Sequence, residues 1–220
     1  HLENSIILEQ MEDPATSEIF AEGWFQIQDE TAIQIGEALA PPEGATALDL
    51  CSAPGGKALQ LLERIGPAGH LVAADRSPER LARVKQNLSR VGSNFTASAL
   101  PEDPARIDLG RTFSHILVDA PCSNTGVLAR RPEARWRIRE QDLEKLAELQ
   151  LGLLEAALRH LAPGGRLLYS TCSVEPEENE NVVAKLVNRH GELVEQETRL
   201  FLPHRTPGDG GFYSLMLKPR

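Results

Sequence analysis

The sequence predicts an α/β fold, a mostly parallel sheet with helices on both faces. Three observations carry that expectation. Short apolar runs alternate with segments of helical periodicity along most of the 220 residues, the pattern of parallel strands joined by crossover helices. Several of those runs stop at an aspartate or a glycine-rich loop, as parallel strands do where they open onto a ligand crevice. The composition, 41% hydrophobic and 25% charged, suits a chain long enough to bury its own core.

Residues 5–8 and 24–28 read as short strands and 29–39 as a helix. Residues 1–40 are therefore expected to form a lead-in that packs on a main domain over 41–220. Residues 45–50 are a buried strand ending at Pro54, Gly55 and Gly56, and 57–65 a helix. Residues 70–74 are the next strand, ending at Asp75. Ser77, Pro78 and Glu79 start a helix, with serine as cap and proline at its first position. Leu81, Val84, Leu88 and Val91 follow at helical spacing, and Gly92 stands where a C-terminal cap belongs. Residues 95–100 are a weaker strand, and 114–118 a strong one ending at Asp119. Leu143, Leu146, Leu149, Leu153, Leu154, Leu158 and Leu161 line a long helix that Pro163, Gly164 and Gly165 end. Residues 167–170 are a buried strand. Pro176 opens a helix carrying Val182, Val183, Leu186 and Val187, and 212–217 read as the last strand. Asp49, Asp75, Asp119 and Cys172 thus fall at strand ends, where one crevice could hold them.

No apolar run reaches the roughly 20 residues of a membrane span, and no basic-then-apolar leader opens the chain. The first residue is His1 rather than Met, which suits a piece of a longer protein with an N-terminal domain missing. Cys51, Cys122 and Cys172 are sparse, odd in number and without C-x-x-C spacing. They argue for a reducing, cytoplasmic setting. The six histidines do not cluster, so no metal site is expected. The net charge of −9 is a poor footprint for a nucleic-acid partner.

Cys51, Ser52, Ala53, Pro54, Gly55, Gly56 and Lys57 join a strand to a helix. Glycines there let the backbone approach a ligand, and the helix start offers unpaired N–H donors. Asp75, 20 residues after Gly55, is placed to hold ribose hydroxyls. The loop is neither G-x-G-x-x-G nor a Walker A loop. A pyrophosphate ligand is disfavoured, and an adenosine ligand without phosphates, such as S-adenosylmethionine, fits better. Other readings stay open. The loop could be a plain tight turn and Asp75 a helix cap. Lys57 could be solvated or could reach the site, and Cys51 could make a backbone contact or fill core space.

Asp119, Ala120, Pro121, Cys122 and Ser123 follow one strand, and Thr171, Cys172 and Ser173 end another. Two thiols near a cofactor crevice invite covalent catalysis. Carbon 5 of a pyrimidine is a poor nucleophile. A thiolate added at carbon 6 makes the ring an enamine, and carbon 5 can then attack a methyl donor. A base next removes the carbon-5 proton so that the thiolate leaves. The helix opened by Pro176 lies just past Cys172, and a helix start lowers a thiol pKa from about 8.5. Asp119 could bond the ring nitrogen beside the amino group. The plain alternative for each cysteine is a buried, inert thiol.

These stretches resemble the Sun/Nol/Nop family of RNA cytosine-5 methyltransferases. The likeness runs in order through residues 23–29, 51–57, 119–123, 131–136, 171–179 and 209–213, nearly the whole chain. It extends to the bacterial enzymes that methylate cytosine in small-subunit ribosomal RNA. The resemblance implies a Rossmann-like class I methyltransferase fold with an antiparallel final strand. It implies Cys172 as nucleophile and Cys122 as the residue that helps release product. DNA relatives use a Pro-Cys nucleophile instead, and the presence of both motifs favours the RNA class. It implies S-adenosylmethionine as cofactor, held by residues 51–57, Asp75 and Asp119 with Arg80 as a further contact, and places Lys57 and Asp119 beside the chemistry. The family's acidic residue after the third strand is assigned to Asp103, with Glu102 as the alternative. Arg130, Arg131, Arg135, Trp136 and Arg137, with Arg139, are the expected RNA contact, arginines gripping phosphate and the aromatic stacking on a base; a solvated loop is the other reading. Such a patch is compatible with the net charge, and a paired target base would have to flip out of its stack. The expected reaction is methyl transfer to carbon 5 of cytosine in RNA, ribosomal first and transfer RNA as an alternative. A methyltransferase for DNA, protein or a small molecule, and a non-catalytic ribosome-assembly factor, are the competing classes.

Overall fold

The computed structural model describes residues 5–7, 16–206 and 208–220. Among these, seven strands form one sheet: β1 Thr46–Leu50, β2 His70–Asp75, β3 Phe95–Ala99, β4 Phe113–Asp119, β5 Leu161–Thr171, β6 Val194–Phe201 and β7 Gly211–Leu217. Their order across the sheet is β3-β2-β1-β4-β5-β7-β6. The first five run parallel, β7 is antiparallel to β5, and β6 is antiparallel to β7. The helices are α1 Glu18–Ala21, α2 Glu30–Leu39, α3 Gly56–Ile65, α4 Pro78–Leu88, α5 Ala134–Arg137, α6 Glu140–Arg159 and α7 Glu180–Arg189. None of the described helices is long and apolar enough to cross a membrane.

The sheet is covered on both faces, which is why its central strands read as nearly unbroken apolar runs. Side chains alternate between two cores. Leu48, Leu50, Ile116, Val118, Leu167 and Tyr169 pack with Leu154 of α6 and Val183 of α7. Ala47, Leu71, Ala73, Leu117 and Leu168 pack with Leu39 of α2, Leu61 of α3 and Val84 of α4. Each fully buried leucine contributes about 1.5–3 kcal/mol. Local capping agrees: Asp29 accepts from Thr31 N at 2.9 Å to start α2, and Ser77 accepts from Arg80 N to start α4. The strand order turns back between β1 and β4, so a crevice opens beyond their carboxyl ends.

Five local expectations are corrected. Residues 24–28 are not a strand. They lie outside the sheet ladder and are held by side chains, Arg90 to Gln26 and Gln28 to Gln60. Residues 5–7 have no regular structure, and Leu8 lies outside the described residues. Gly92 does not cap α4 in the left-handed conformation, because the chain unwinds through right-handed turns over Ser89–Val91. Pro163, Gly164 and Gly165 do not end α6. They lie inside β5, where Gly164 N bonds Lys218 O and the ladder to β4 is irregular. Pro176 opens a turn rather than a helix, since Asn179 leaves helical geometry and α7 begins at Glu180. Strand β6 carried no readable signal: seven of its eight residues are exposed, and an edge strand needs no apolar run.

Candidate active site

The loop after β1 is shaped by β2 and α4. Cys51 takes a left-handed φ of 80°, and the N–H groups of Cys51 and Ser52 both donate to Ala74 O, at 2.9 and 2.8 Å. Gly55, at φ 107°, caps α3 in a conformation that glycine alone adopts without strain. Asp75 accepts from Ala53 N at 3.2 Å and Ser77 N at 2.9 Å, while Arg80 donates to Ala53 O at 3.0 Å. Asp75 and Arg80 therefore both touch the loop. Burial drives the Cys51 thiol far above its ordinary pKa, and its side chain packs against the core.

Asp49, at the end of β1, is 1% exposed. Among the described residues neither of its oxygens, nor Ser52 Oγ, makes a hydrogen bond of good geometry, although the Ser52 hydroxyl is near enough to favour the charged carboxylate. Burial, then the negative charge of Asp119, push the Asp49 carboxyl up to about 7. Unpartnered buried acceptors are rare in folded proteins, and beside this loop they suit a polar, cationic ligand. The residues present fit S-adenosylmethionine.

The same carboxyl predicts a pH dependence. Unfolded, Asp49 titrates near pH 4; folded, it holds its proton to about pH 7. Between those values the folded state binds more protons, so stability falls as pH rises through the window and levels off above it. Asp49→Asn should remove about 2 kcal/mol of the difference between about pH 5 and pH 8, measured by urea unfolding of both proteins. An unchanged difference would refute it.

The ends of β4 and β5 bring the two motif cysteines together. Cys122 Sγ lies 3.2 Å from Cys172 Sγ, and both thiols are free. The bond from Cys122 lowers the Cys172 pKa; burial and Asp119 oppose it, and Lys57 and Arg131 assist. Cys122 moves the other way, raised well above its ordinary value by its bond to Cys172 and then by burial. One thiol is thus prepared to ionise and its neighbour to keep its proton. With α7 starting at Glu180, these side chains rather than a helix start set Cys172. Cys172 Sγ also lies 3.2 Å from Asn124 Oδ1, and Asn124 holds a left-handed φ of 64°.

Lys57 reaches the site. Its Nζ lies 2.7 Å from Asp119 Oδ2, and Ser170 Oγ donates to Asp119 Oδ1 at 2.7 Å. Burial alone would lower the Lys57 pKa, but Asp119 outweighs it and the net shift is upward. The ammonium therefore stays charged. Lys57, Asp119, Asn124, Arg131 and Cys172 line a cavity of about 260 Å³.

The far wall of that cavity includes Asp29, Thr31 and Asp209. Arg130 bridges Asp29 and Asp209 with two contacts of 2.8 Å, and Thr31 Oγ1 donates to Asp209 O at 2.7 Å. Arg130 thus ties the segment before α2 to the loop before β7, a different use from the phosphate contact expected of it. Arg131 lines the cavity, while Arg135, Trp136 and Arg137 stand in solvent on α5, Trp136 84% exposed. Asp103 caps a short 3-10 turn by accepting from Ala105 N at 2.9 Å and is exposed, as is Glu102. No group of three metal-ligating side chains occurs among the described residues. Asp29, Asn124 and Asp209 were missed as site residues, although all three fall in or next to motif stretches; a left-handed position before Thr-Gly was the available signal for Asn124.

Gly126 is where the two walls meet. Its N–H donates to Cys172 O at 3.0 Å and its carbonyl accepts from Gly210 N at 2.8 Å. A Cβ there would lie 2.7 Å from the Gly210 carbonyl carbon and 2.9 Å from Cys172 O, and backbone cannot yield cheaply. Gly126→Ala is expected to cost about 1–3 kcal/mol in urea unfolding; a neutral result would refute the close contact.

The strand order and this crevice are those of Rossmann-like S-adenosylmethionine-dependent methyltransferases. The chain belongs to the 16S rRNA methyltransferase RsmB/F family, whose profile matches residues 36–217. It is 43% identical over 209 residues to ribosomal RNA small subunit methyltransferase B of Sodalis glossinidius, covering 90% of this chain and 48% of that protein. It is 41% identical over 200 residues to the protein of the same name from Proteus mirabilis, covering 90% and 47%. The solved structure of NSun6 from Pyrococcus horikoshii with SFG superposes with a TM-score of 0.85 at 27% identity, covering 96% of this chain and 57% of that one. The chain spans about half the length of the curated relatives it matches.

Proposed function

We propose that this chain is the catalytic part of an RNA cytosine-5 methyltransferase that acts on small-subunit ribosomal RNA in the cytoplasm. One observation carries the reading: a thiol prepared to ionise and the Lys57–Asp119 pair border one cavity, and a second thiol, that of Cys122, lies 3.2 Å behind the first. The names of the relatives support ribosomal over transfer RNA. Free thiols at the reacting centre suit a reducing compartment.

S-adenosylmethionine, when bound, supplies an electrophilic methyl group. Residues 51–57, Asp75, Arg80 and Asp49 hold it at the end of β1, where the loop fixed by Asp75 and the unpartnered buried acceptors support that role. Cys172 adds to carbon 6 of cytosine, the ring electrons move to carbon 5, and carbon 5 takes the methyl group as its bond to the donor sulfur breaks, leaving S-adenosylhomocysteine. Asp119 accepts from the base's amino group, and the Lys57 ammonium offsets charge building on the ring. Water in the cavity takes the carbon-5 proton, the double bond re-forms and the Cys172 thiolate is expelled, with the protonated Cys122 donating to that thiolate as it leaves. Arg131, Arg135, Trp136 and Arg137 form the RNA-facing surface. The described part of the 1–40 lead-in, residues 16–40, packs on 41–220, a reading supported by the Asp29–Arg130–Asp209 tie.

The test incubates the full-length protein with methyl-labelled S-adenosylmethionine and ribosomal RNA from an unmethylated source. Label is expected in 5-methylcytidine of small-subunit RNA and should vanish with ribonuclease. Label confined to DNA, protein or another base would overturn the reading.

A further inference from the structure

One buried acid takes part in none of these steps. Glu178, in the turn before α7, is fully buried. Its Oε1 accepts from Ser123 N at 2.9 Å and Gln150 Nε2 at 3.0 Å, and its Oε2 accepts from Ser123 Oγ. All are neutral donors, and none of the ion pairs among the described residues involves Glu178. A carboxylate buried this way is unfavourable unless its bonds are well made.

The partners locate its influence. Ser123 follows Cys122, and Ser123 Oγ meets Ser173 Oγ, next to Cys172, at 3.1 Å. Gln150 Nε2 also donates to Pro121 O at 3.0 Å, just before Cys122. On the other side Asn179, next to Glu178, donates to Ser173 O at 3.0 Å and accepts from Thr171 Oγ1 at 2.6 Å. The bonds bracket both cysteines and converge on Glu178.

We propose that Glu178 is the positioning residue of the thiol pair: its carboxylate locks the Cys122 loop onto the Cys172 loop and keeps Cys122 the protonated partner, leaving Cys172 to ionise. A fixed negative charge beside Cys122 disfavours a second one there; the bond to Cys172 and burial raise that thiol most, and Glu178 adds to them. The inference rests on the reading of Cys172 as nucleophile. Its test reads thiol ionisation rather than methylation, so the two can fail separately: an active Cys172→Ala protein sinks the nucleophile and leaves the labelling result standing.

Rates of iodoacetamide labelling at Cys172 and Cys122 are followed by peptide mass spectrometry across pH in wild type, Glu178→Gln and Glu178→Ala. In wild type Cys172 should label at lower pH than Cys122. Glutamine keeps the size and can still bond Ser123, but the charge is gone. In Glu178→Gln the Cys122 midpoint should fall by about one pH unit and the Cys172:Cys122 ratio near neutrality by about tenfold. In Glu178→Ala the tie is also lost, and the Cys172 midpoint should rise. Wild-type midpoints and ratio in a Glu178→Gln protein with a normal melting curve would overturn the proposal. If neither variant folds, Ser123→Ala cuts the hydroxyl link to Ser173; a lowered ratio supports the proposal and an unchanged one overturns it.

Discussion

Cys172→Ala is expected to lower methyl transfer by about 10⁴-fold or more, the scale seen when a covalent nucleophile is removed. Nothing else in the cavity replaces it. Cys122 lies 3.2 Å away, but it does not line the cavity, and burial still raises its pKa once the Cys172 bond is gone. Cys122→Ala should behave differently. The Cys122 bond, the largest cause lowering the Cys172 pKa, is lost, so the adduct at carbon 6 forms at a higher pH, with Lys57 and Arg131 still favouring the thiolate, while release slows. A protein–RNA band that survives denaturing electrophoresis is the expected signature, present in Cys122→Ala and absent in Cys172→Ala. Substantial turnover by Cys172→Ala, or the band appearing in the wrong variant, would reverse the assignment of the two thiols.

The second large effect concerns the Lys57–Asp119 pair. Asp119→Asn keeps a side chain that can bond Ser170 but removes the charge that accompanies Lys57. A loss of about 10²–10³ in kcat is expected, as for other groups aimed at developing charge. The pH profiles separate the partners. Lys57 lowers the Cys172 pKa and Asp119 raises it. Adduct formation needs the thiolate, so its rate rises with pH through that pKa. Lys57→Ala should therefore move the rising limb to higher pH, and Asp119→Asn should move it to lower pH. Gel-shift rates of adduct formation across pH measure both; limbs that move together, or not at all, would show that the pair does not tune the nucleophile.

The ordering of the parallel strands, the glycine loop and the two cysteine motifs was readable from the residues because each is a local signal. A strand buried on both faces is apolar where it crosses the core, as residues 47–48 and 116–118 are. A loop that must pass close to a ligand must carry glycine, as Gly55 does at φ 107°. Where a segment's structure rests on partners far along the chain, the local signal failed. β6 is exposed and polar yet is a strand because β7 supplies its ladder. Pro163, Gly164 and Gly165 look like a helix stop yet sit in β5, where Lys218 answers their backbone. Arg130 looked like a free cation until folding set Asp29 and Asp209 against it.

The site divides the same way. Composition and motif supplied its chemistry: two thiols, a lysine, three strand-end aspartates and a loop suited to an unphosphorylated adenosine ligand. Its geometry depends on pairing across the sheet. Cys122 and Cys172 are 50 residues apart. They face each other because β4 and β5 pair in register through Asp119 and Ser170, so the loops that follow leave the sheet side by side. The opposite shifts of the two thiols, the unpartnered Asp49 and the bonds converging on Glu178 follow from that proximity and from burial. Side-chain chemistry belongs to the residue, whereas distance and desolvation exist only once the strands have paired.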